Sequence, residues 1–115
     1  MIIYLVRQQN SNLYKIGVTG QLVTERINQL QTANPETLIL VNTFETKHDY
    51  TLETYVHRRY ASQNVQLEWF ELTDEQVKEF TAICQQGEAN FNLLQEENTY
   101  LQDRSTKKTR KNYWN

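Results

Sequence analysis

Three apolar runs, separated by polar residues, predict the strands of a small sheet. Residues 1–7 are mostly aliphatic and β-branched, which indicates a strand buried on both faces. The polar stretch 8–12 links them to a second run at residues 13–18, and so short a link favours an antiparallel hairpin. The third run, residues 37–44, is nearly continuous Leu, Ile, Val and Phe, as is typical of a central or doubly covered strand.

Apolar residues at helical spacing predict three helices, over residues 23–33, 48–62 and 74–86. Thr24 is placed to cap the first of these, which ends before Pro35 because the residue preceding a proline avoids helical geometry. Strand and helix patterns therefore alternate along most of the chain.

The third helix has recognisable capping residues at both ends. Thr73 or Asp74 can accept the free N–H groups of its first turn, and Gly87 is placed to end it. The preceding segment 69–72, Trp-Phe-Glu-Leu, is predicted to be an edge strand or an extended packing segment. We expect its two aromatic side chains to be structural, because large aromatic residues contribute strongly to core packing.

This order of elements predicts an α/β domain, a small sandwich in which a largely antiparallel three-stranded sheet is flanked by helices. We place the domain at residues 1–86 and a helical C-terminal extension with a basic tail at residues 87–115. Apolar residues recur at near-heptad spacing within 88–102. That segment either packs back on the domain as an amphipathic helix or forms a short coiled coil in a homodimer.

The composition fits one folded domain and excludes several classes of protein. A chain of 115 residues, with 38% hydrophobic and 23% charged residues, is compatible with an ordinary core. Cys84 is the one cysteine, so neither an internal disulfide nor a cysteine-cluster zinc site can form, and we expect a buried thiol. No apolar stretch is long enough for a bilayer or a secretory signal, so we expect a cytoplasmic protein without membrane contact.

Charge is unevenly distributed along the chain. Residues 1–102 hold 7 basic and 13 acidic side chains, whereas residues 103–115 hold 5 basic and 1 acidic. Only the tail therefore has the charge expected of a surface that binds nucleic acid. The side chains predicted to contact phosphates there are Arg104, Lys107, Lys108, Arg110 and Lys111.

Five polar side chains fall at positions where a purely structural account does not need them. Tyr4 lies inside an apolar strand, Lys15 in its hairpin partner and Arg26 on the first helix. Glu53 and His57 share one face of the second helix. Each has a plain structural interpretation as a core aromatic, a solvated basic residue or a surface pair, so spacing alone indicates only an α/β domain.

Five short motifs, in order over residues 1–83, resemble the GIY-YIG nuclease superfamily. The resemblance is closest to the branch found in phage-type DNA-binding proteins and in a fungal meiotically up-regulated protein. The motifs are Ile3-Tyr4-Leu5, Tyr14-Lys15-Ile16-Gly17-Val18-Thr19, the segment 26–35, Leu52-Glu53-Thr54-Tyr55-Val56-His57, and Glu68-Trp69-Phe70-Glu71-Leu72.

The resemblance implies a set of site residues and shows three departures. Tyr4 takes the place of the family's first tyrosine, Arg26 of its helix arginine, Glu53 of its metal-binding glutamate and His57 of a histidine common in this branch. Lys15 stands where the second tyrosine is usual. The first tripeptide also lacks its leading glycine, and the interval between the lysine and the helix arginine is one residue longer than usual.

By this resemblance the chain is a Mg²⁺- or Mn²⁺-dependent endonuclease that hydrolyses phosphodiester bonds in DNA. Glu53 would hold the metal, and Arg26 would stabilise charge on the phosphoryl oxygens. Tyr4, with its pKa lowered by Lys15 and the metal, would be the general base on water. The lysine would alternatively hold the phosphate, and His57 would assist the base or orient the metal ligand.

Two other classes of function remain open. One is a GIY-YIG-fold module that binds DNA without cutting it, and the other is a dimerising interaction domain that binds no nucleic acid. The low charge of residues 1–102 favours either of these. Retention of Tyr4, Arg26 and Glu53 together favours the nuclease, in which these three side chains should converge on one concave patch.

Overall fold

The computed structural model describes the backbone of residues 1–114 and the side chains of residues 1–97. The strands are β1 (Ile2–Gln8), β2 (Leu13–Thr19), β3 (Leu38–Glu45), β4 (Asn64–Gln66) and β5 (Trp69–Glu71). The helices are α1 (Val23–Thr32), α2 (Asp49–Arg59), α3 (Asp74–Lys78) and α4 (Phe80–Trp114), with a 3-10 turn at Ala61–Gln63.

The strands form one antiparallel sheet in the order β3-β1-β2-β5-β4. The predicted α/β class is confirmed, and β4 and β5 add two short strands to the three that the sequence predicts. β1 pairs with both β2 and β3, so its nearly continuous apolar sequence is explained by a position inside the sheet with cover on both faces.

β3 lies at the edge of the sheet, so the prediction of a central or doubly covered strand is wrong. Ile39, Leu40 and Val41 are 40%, 42% and 38% exposed. The pairing of β3 with β1 shifts in register between Leu5 and Val6, which leaves one extra residue in β3. A bulge of this kind twists an edge strand and hinders its pairing with other chains, which accounts for an apolar edge being tolerated.

The two faces of the sheet bury different side chains. On one face, α2 and α4 cover a large core that includes Ile3, Leu5 and Phe70. On the other face, α1 covers a smaller core built around Tyr4 and Val6. Successive residues of β1 therefore point to opposite faces, and the tyrosine lies on the α1 side.

Both aromatic side chains of β5 pack against the cores of the domain, as their structural prediction requires. Phe70 is 1% exposed within the larger core, and Trp69 is half-buried against the smaller one. β5 lies between β2 and β4, so of the two interpretations left open for this segment, the edge strand is wrong.

Helix capping follows the sequence in one case and departs from it in another. Thr73 accepts the Gln76 N–H while the Gln76 side chain accepts the Thr73 N–H, so the predicted cap of the third helix is confirmed as a capping box. α1 begins directly after Leu22 without a side-chain cap, so the prediction for Thr24 is wrong. The Thr19 hydroxyl accepts the Gln21 N–H and turns the chain ahead of the helix.

Gly87 does not end a helix, because α4 continues through it. The residue is buried where α4 packs on α2, and a Cβ there would stand 2.6 Å from both Leu52 Cδ1 and Tyr55 Cδ1. The glycine thus permits a close approach of two helices, and its prediction as a helix terminator is wrong. The helix predicted over residues 74–86 is instead divided at Glu79 into α3 and α4.

The C-terminal extension is helical as far as its backbone is described. The side chains of residues 98–115 lie outside the described part, which includes the whole basic tail and the end of the segment 88–102 predicted to dimerise. Cys84 is buried as predicted, and burial raises the pKa of its thiol to about 12. Over the described residues, no helix combines the length and apolarity needed to cross a membrane.

Candidate functional site

Tyr4 lies across β2 on the face that α1 covers. It pairs with Gly17, and a Cβ built on that glycine would overlap the Tyr4 hydroxyl and the adjacent ring carbon. The glycine of the second motif is therefore required because the tyrosine side chain occupies the space above it. This packing holds the Tyr4 hydroxyl at a fixed place over the second half of β2.

Arg26 projects from α1 near the Tyr4 hydroxyl, close enough to lower the pKa of that group. Its Nη1 also donates to Gln29 Oε1 at 3.3 Å, which keeps the guanidinium near the start of the helix. Burial raises the pKa of Tyr4 above its ordinary value of 10.0, and Arg26 offsets only part of this rise. The expectation of a lowered tyrosine pKa is therefore corrected, since desolvation outweighs the neighbouring cation.

Lys15 lies on the same face of the sheet as Tyr4. It pairs with Val6, which follows Tyr4 by two residues on β1. Its Nζ is 3.0 Å from Glu68 Oε2 and 5.6 Å from the centre of the Trp69 ring. The lysine side chain is only 15% exposed, so this ion pair is screened less than a surface pair would be. The structural interpretation made Lys15 a solvated residue. Instead, a carboxylate and an aromatic ring hold the lysine side chain in place.

Glu53 reaches from α2 to the edge of β2, where the Val18 backbone is close enough to lower the pKa of its carboxylate. Burial raises the pKa of Glu53 above its ordinary value, and the nearby charge of Glu68 raises it further. The charges of His57 and Lys15 and the Val18 backbone lower it by less. The neighbouring cations and the Val18 backbone therefore do not fully offset the cost of ionising the Glu53 carboxyl group in this place.

His57 bonds the same strand edge one turn further along α2. Its Nε2 is 2.8 Å from the Ile16 carbonyl oxygen, and because a carbonyl only accepts, this nitrogen must carry the hydrogen. The ring also packs at 5.1 Å from the Phe70 ring. β5 pairs with β2 only over residues 13–15. Beyond that point, the side chains of Glu53 and His57 lie against the backbone polar groups of β2 in the place that β5 would occupy.

The structure brings the five predicted side chains into one connected cluster around the second half of β2. Arg26 lowers the pKa of the Tyr4 hydroxyl, and the charges of Glu53 and Glu68 raise it. Among the described side chains, no three His, Cys, Asp or Glu residues gather into a preformed metal cage. The arrangement offers a hydroxyl, two cations and a carboxylate within one polar region; the catalytic and metal-binding roles of these residues stay predictions.

Sequence reasoning missed Glu68, which balances Lys15 and acts on both Tyr4 and Glu53. Its motif was recognised, but only the two aromatic residues that follow were interpreted. A signal for Glu68 exists in the sequence: it immediately precedes the aromatic strand β5, and Lys15 lies inside the hairpin. The two charges are seen to meet only once β5 is placed beside β2.

The fold and the cluster define a small α/β domain with a polar site around the second half of its second strand. A family model described as the T5orf172 domain matches residues 1–85, so the chain belongs to the T5orf172 domain family. The match covers every residue of the cluster. No curated protein and no solved structure gives a significant match.

Proposed function

We propose that this chain is a GIY-YIG-type endonuclease that hydrolyses phosphodiester bonds in DNA with Mg²⁺ or Mn²⁺. The observation that carries the proposal is the convergence of Arg26, Glu53 and Glu68 on the hydroxyl of Tyr4, whose pKa all three affect. Phosphodiester cleavage needs a proton-transfer group, a cation for the phosphoryl oxygens and a ligand for a metal. Family membership supports it, because T5orf172 domains are phage-associated and often occur in endonuclease contexts.

The chemistry of Glu53 fits a divalent cation. Burial and Glu68 raise its pKa, so a cation beside the carboxylate would offset a cost that the protein's own residues leave in place. Mg²⁺ commonly binds through one or two carboxylates while water and phosphate complete its shell, so one carboxylate from α2 is sufficient. Held by Glu53, the ion would supply Lewis-acid stabilisation of the phosphoryl oxygens.

The remaining side chains of the cluster act on the phosphate and on protons. Arg26 can turn its guanidinium from Gln29 to the phosphoryl oxygens as their charge develops. Lys15 adds a second cation close by, held in place by Glu68. Tyr4 must lose its proton to act as a base, and since burial raises its pKa, the rate of cleavage should keep rising with pH through the alkaline range.

His57 is a positioning residue in this proposal. Its Nε2–H is committed to the Ile16 carbonyl, so that nitrogen cannot accept a proton from water. This contact ties α2 to β2 at the position where Glu53 approaches the Val18 backbone. The carboxylate is thereby held beside the strand that bears Lys15.

A second candidate is a module that binds DNA without cutting it. Two observations favour it: Lys15 is already paired with Glu68, and burial raises the pKa of the proposed base Tyr4. A dimerising interaction domain is a third candidate, and it rests on the apolar spacing within 88–102 alone.

The deciding experiment compares plasmid cleavage by wild type, Glu53→Gln and Glu45→Gln in Mg²⁺ and in Mn²⁺. Glu45 is an exposed carboxylate on β3 and serves as the matched control for charge removal. We expect Glu53→Gln to lose about two orders of magnitude in rate or more, and the control to cut like wild type. Equal rates for wild type and Glu53→Gln would place the activity elsewhere, and binding without cutting by all three proteins would select the second candidate.

A further inference from the structure

A cavity of about 380 Å³ opens on the α1 face of the sheet, beside the cluster. It lies between the segment that follows α1 and the β4–β5 hairpin. The side chains that matter for its chemistry are the apolar groups of Leu13, Pro35, Val65 and Trp69 and the carboxamides of Gln8 and Gln66.

The pairing of the strands places this cavity next to Lys15. Leu13 precedes the lysine by two residues on β2, so the two side chains share a face and lie about 7 Å apart along the strand. Trp69 pairs directly with Lys15 and also lines the cavity. The indole ring, 5.6 Å from the lysine Nζ, thus belongs to the cluster and to the cavity at once.

The lining chemistry suits an uncharged planar ring with polar edges. Apolar side chains form much of the wall, and among the side chains that the structure describes no basic residue lines it, so a phosphate has no counter-charge from them. The one charged lining residue, Glu36, would repel an anion. The carboxamides of Gln8 and Gln66 each offer donors and an acceptor, which match the edges of a nucleobase.

We propose that this cavity binds one unstacked base of the DNA strand whose phosphate lies at Lys15 and Arg26. The inference rests on the proposed function for its DNA substrate and adds a substrate class to it: DNA that presents an unpaired or extruded nucleotide. A base inside a regular duplex cannot enter a side pocket without leaving its stack, so single-stranded or distorted sites are preferred.

The test uses Trp69 fluorescence in a Trp114→Phe background, which leaves Trp69 as the one tryptophan. The probes are a single-stranded tetranucleotide and the same sugar–phosphate chain without bases, titrated in EDTA so that no cleavage occurs. We expect the tetranucleotide to quench Trp69 and to bind about 5- to 150-fold more tightly than the baseless chain, as stacking of one base on an aromatic side chain predicts. Equal binding of the two chains, no binding, or binding without a change at Trp69 would overturn the proposal.

Two variants separate stacking from mere packing. Trp69→Phe keeps a flat ring and should retain the preference for the base-containing chain. Trp69→Leu keeps an apolar side chain against Val6 and Leu38 but removes the ring, and should lose the preference. If the leucine variant fails to fold, the fluorescence titration still decides.

The plasmid assay keeps this inference distinct from the proposed function. A protein that cuts plasmid but shows no preference for the base-containing chain keeps the nuclease and loses the cavity assignment. One that binds that chain through Trp69 but never cuts keeps the cavity assignment and loses the nuclease.

Discussion

At the scale of single residues, the ionised form of Glu53 is disfavoured by its surroundings in the folded protein. Its pKa is raised first by burial and then by the charge of Glu68, so the folded state disfavours the ionised carboxylate. The Val18 backbone beside it needs an oxygen as its partner but not a charge. A side chain kept for folding alone would do better as an amide.

We therefore expect Glu53→Gln to be as stable as wild type or more stable at neutral pH. The folded pKa of Glu53 lies above its ordinary value of 4.5, so wild type loses stability as pH rises from about 4.5 through the folded pKa. The advantage of the glutamine variant should therefore vanish below about pH 4.5. Urea unfolding at neutral and acid pH measures both values, with Glu45→Gln as the control. A glutamine variant whose stability relative to wild type is lower at neutral pH than in acid would contradict the assignment.

Some residues of the site can be found from short motifs in the sequence, and others only from knowing which strands pair. Tyr4, Lys15, Arg26 and Glu53 are found from motif order, because each sits at a fixed place within its own strand or helix. Glu68 could not be found in this way. Its effect depends on β5 lying beside β2, which is a contact between segments far apart in sequence.

At the scale of elements, strands and helices with a full period of apolar residues are predicted well. β1, β2 and α2 bury apolar residues at regular spacing, and α1 packs its partly buried Ile27 and Leu30 against the smaller core, so the period of each element is visible in the sequence. β4 and β5 have three residues each, too few for a period to be seen. The position of β3 at the edge also escaped prediction, since an apolar run does not indicate how many neighbours a strand has.

His57 acts between elements, and a substitution can separate its structural and catalytic interpretations. We expect His57→Gln to retain cleavage and its pH profile, because an amide N–H can replace the donor to the Ile16 carbonyl. His57→Ala should lose about 1–3 kcal/mol of stability as the half-buried donor and its ring contact with Phe70 disappear. Loss of cleavage in a His57→Gln protein of unchanged stability would make the histidine a proton-transfer group instead.

Gly87 shows how packing between helices overrides a local signal. In an isolated helix Gly→Ala stabilises by about 1 kcal/mol, but a Cβ here would stand 2.6 Å from Leu52 Cδ1. We expect Gly87→Ala to destabilise the protein by about 1–3 kcal/mol, as overpacking usually does. Gly20→Ala is the control, because its nearest contact is the flexible Met1 sulfur at 3.0 Å. A Gly87→Ala protein with a raised melting temperature would show that α2 and α4 can separate without cost.

At the scale of the whole molecule, acidic and basic charge are separated along the chain. Residues 1–102 carry 13 acidic and 7 basic side chains, and within the cluster Lys15 and Arg26 are matched by Glu53 and Glu68. A site balanced in this way has little long-range attraction for DNA. The 5 basic residues after residue 102 would supply that attraction and leave recognition to the cluster and the cavity.

The last expectation follows from this division of charge. α4 runs to Trp114, so deleting everything after Gln102 removes helix as well as charge. A second variant therefore keeps the length and replaces the five basic tail residues by glutamine.

Affinity for duplex DNA is measured by fluorescence anisotropy at several salt concentrations in EDTA. We expect both variants to bind more weakly, and the slope of log affinity against log salt to become shallower by up to about 4.5, if each of the five charges neutralises one phosphate. The melting temperature should change little in the glutamine variant, because surface substitutions of this kind rarely alter stability. If wild type and both variants give the same slope, the tail makes no phosphate contacts and the attraction comes from basic residues within 1–102. If only the deletion changes the slope, the length of the helix rather than its charge is what the DNA requires.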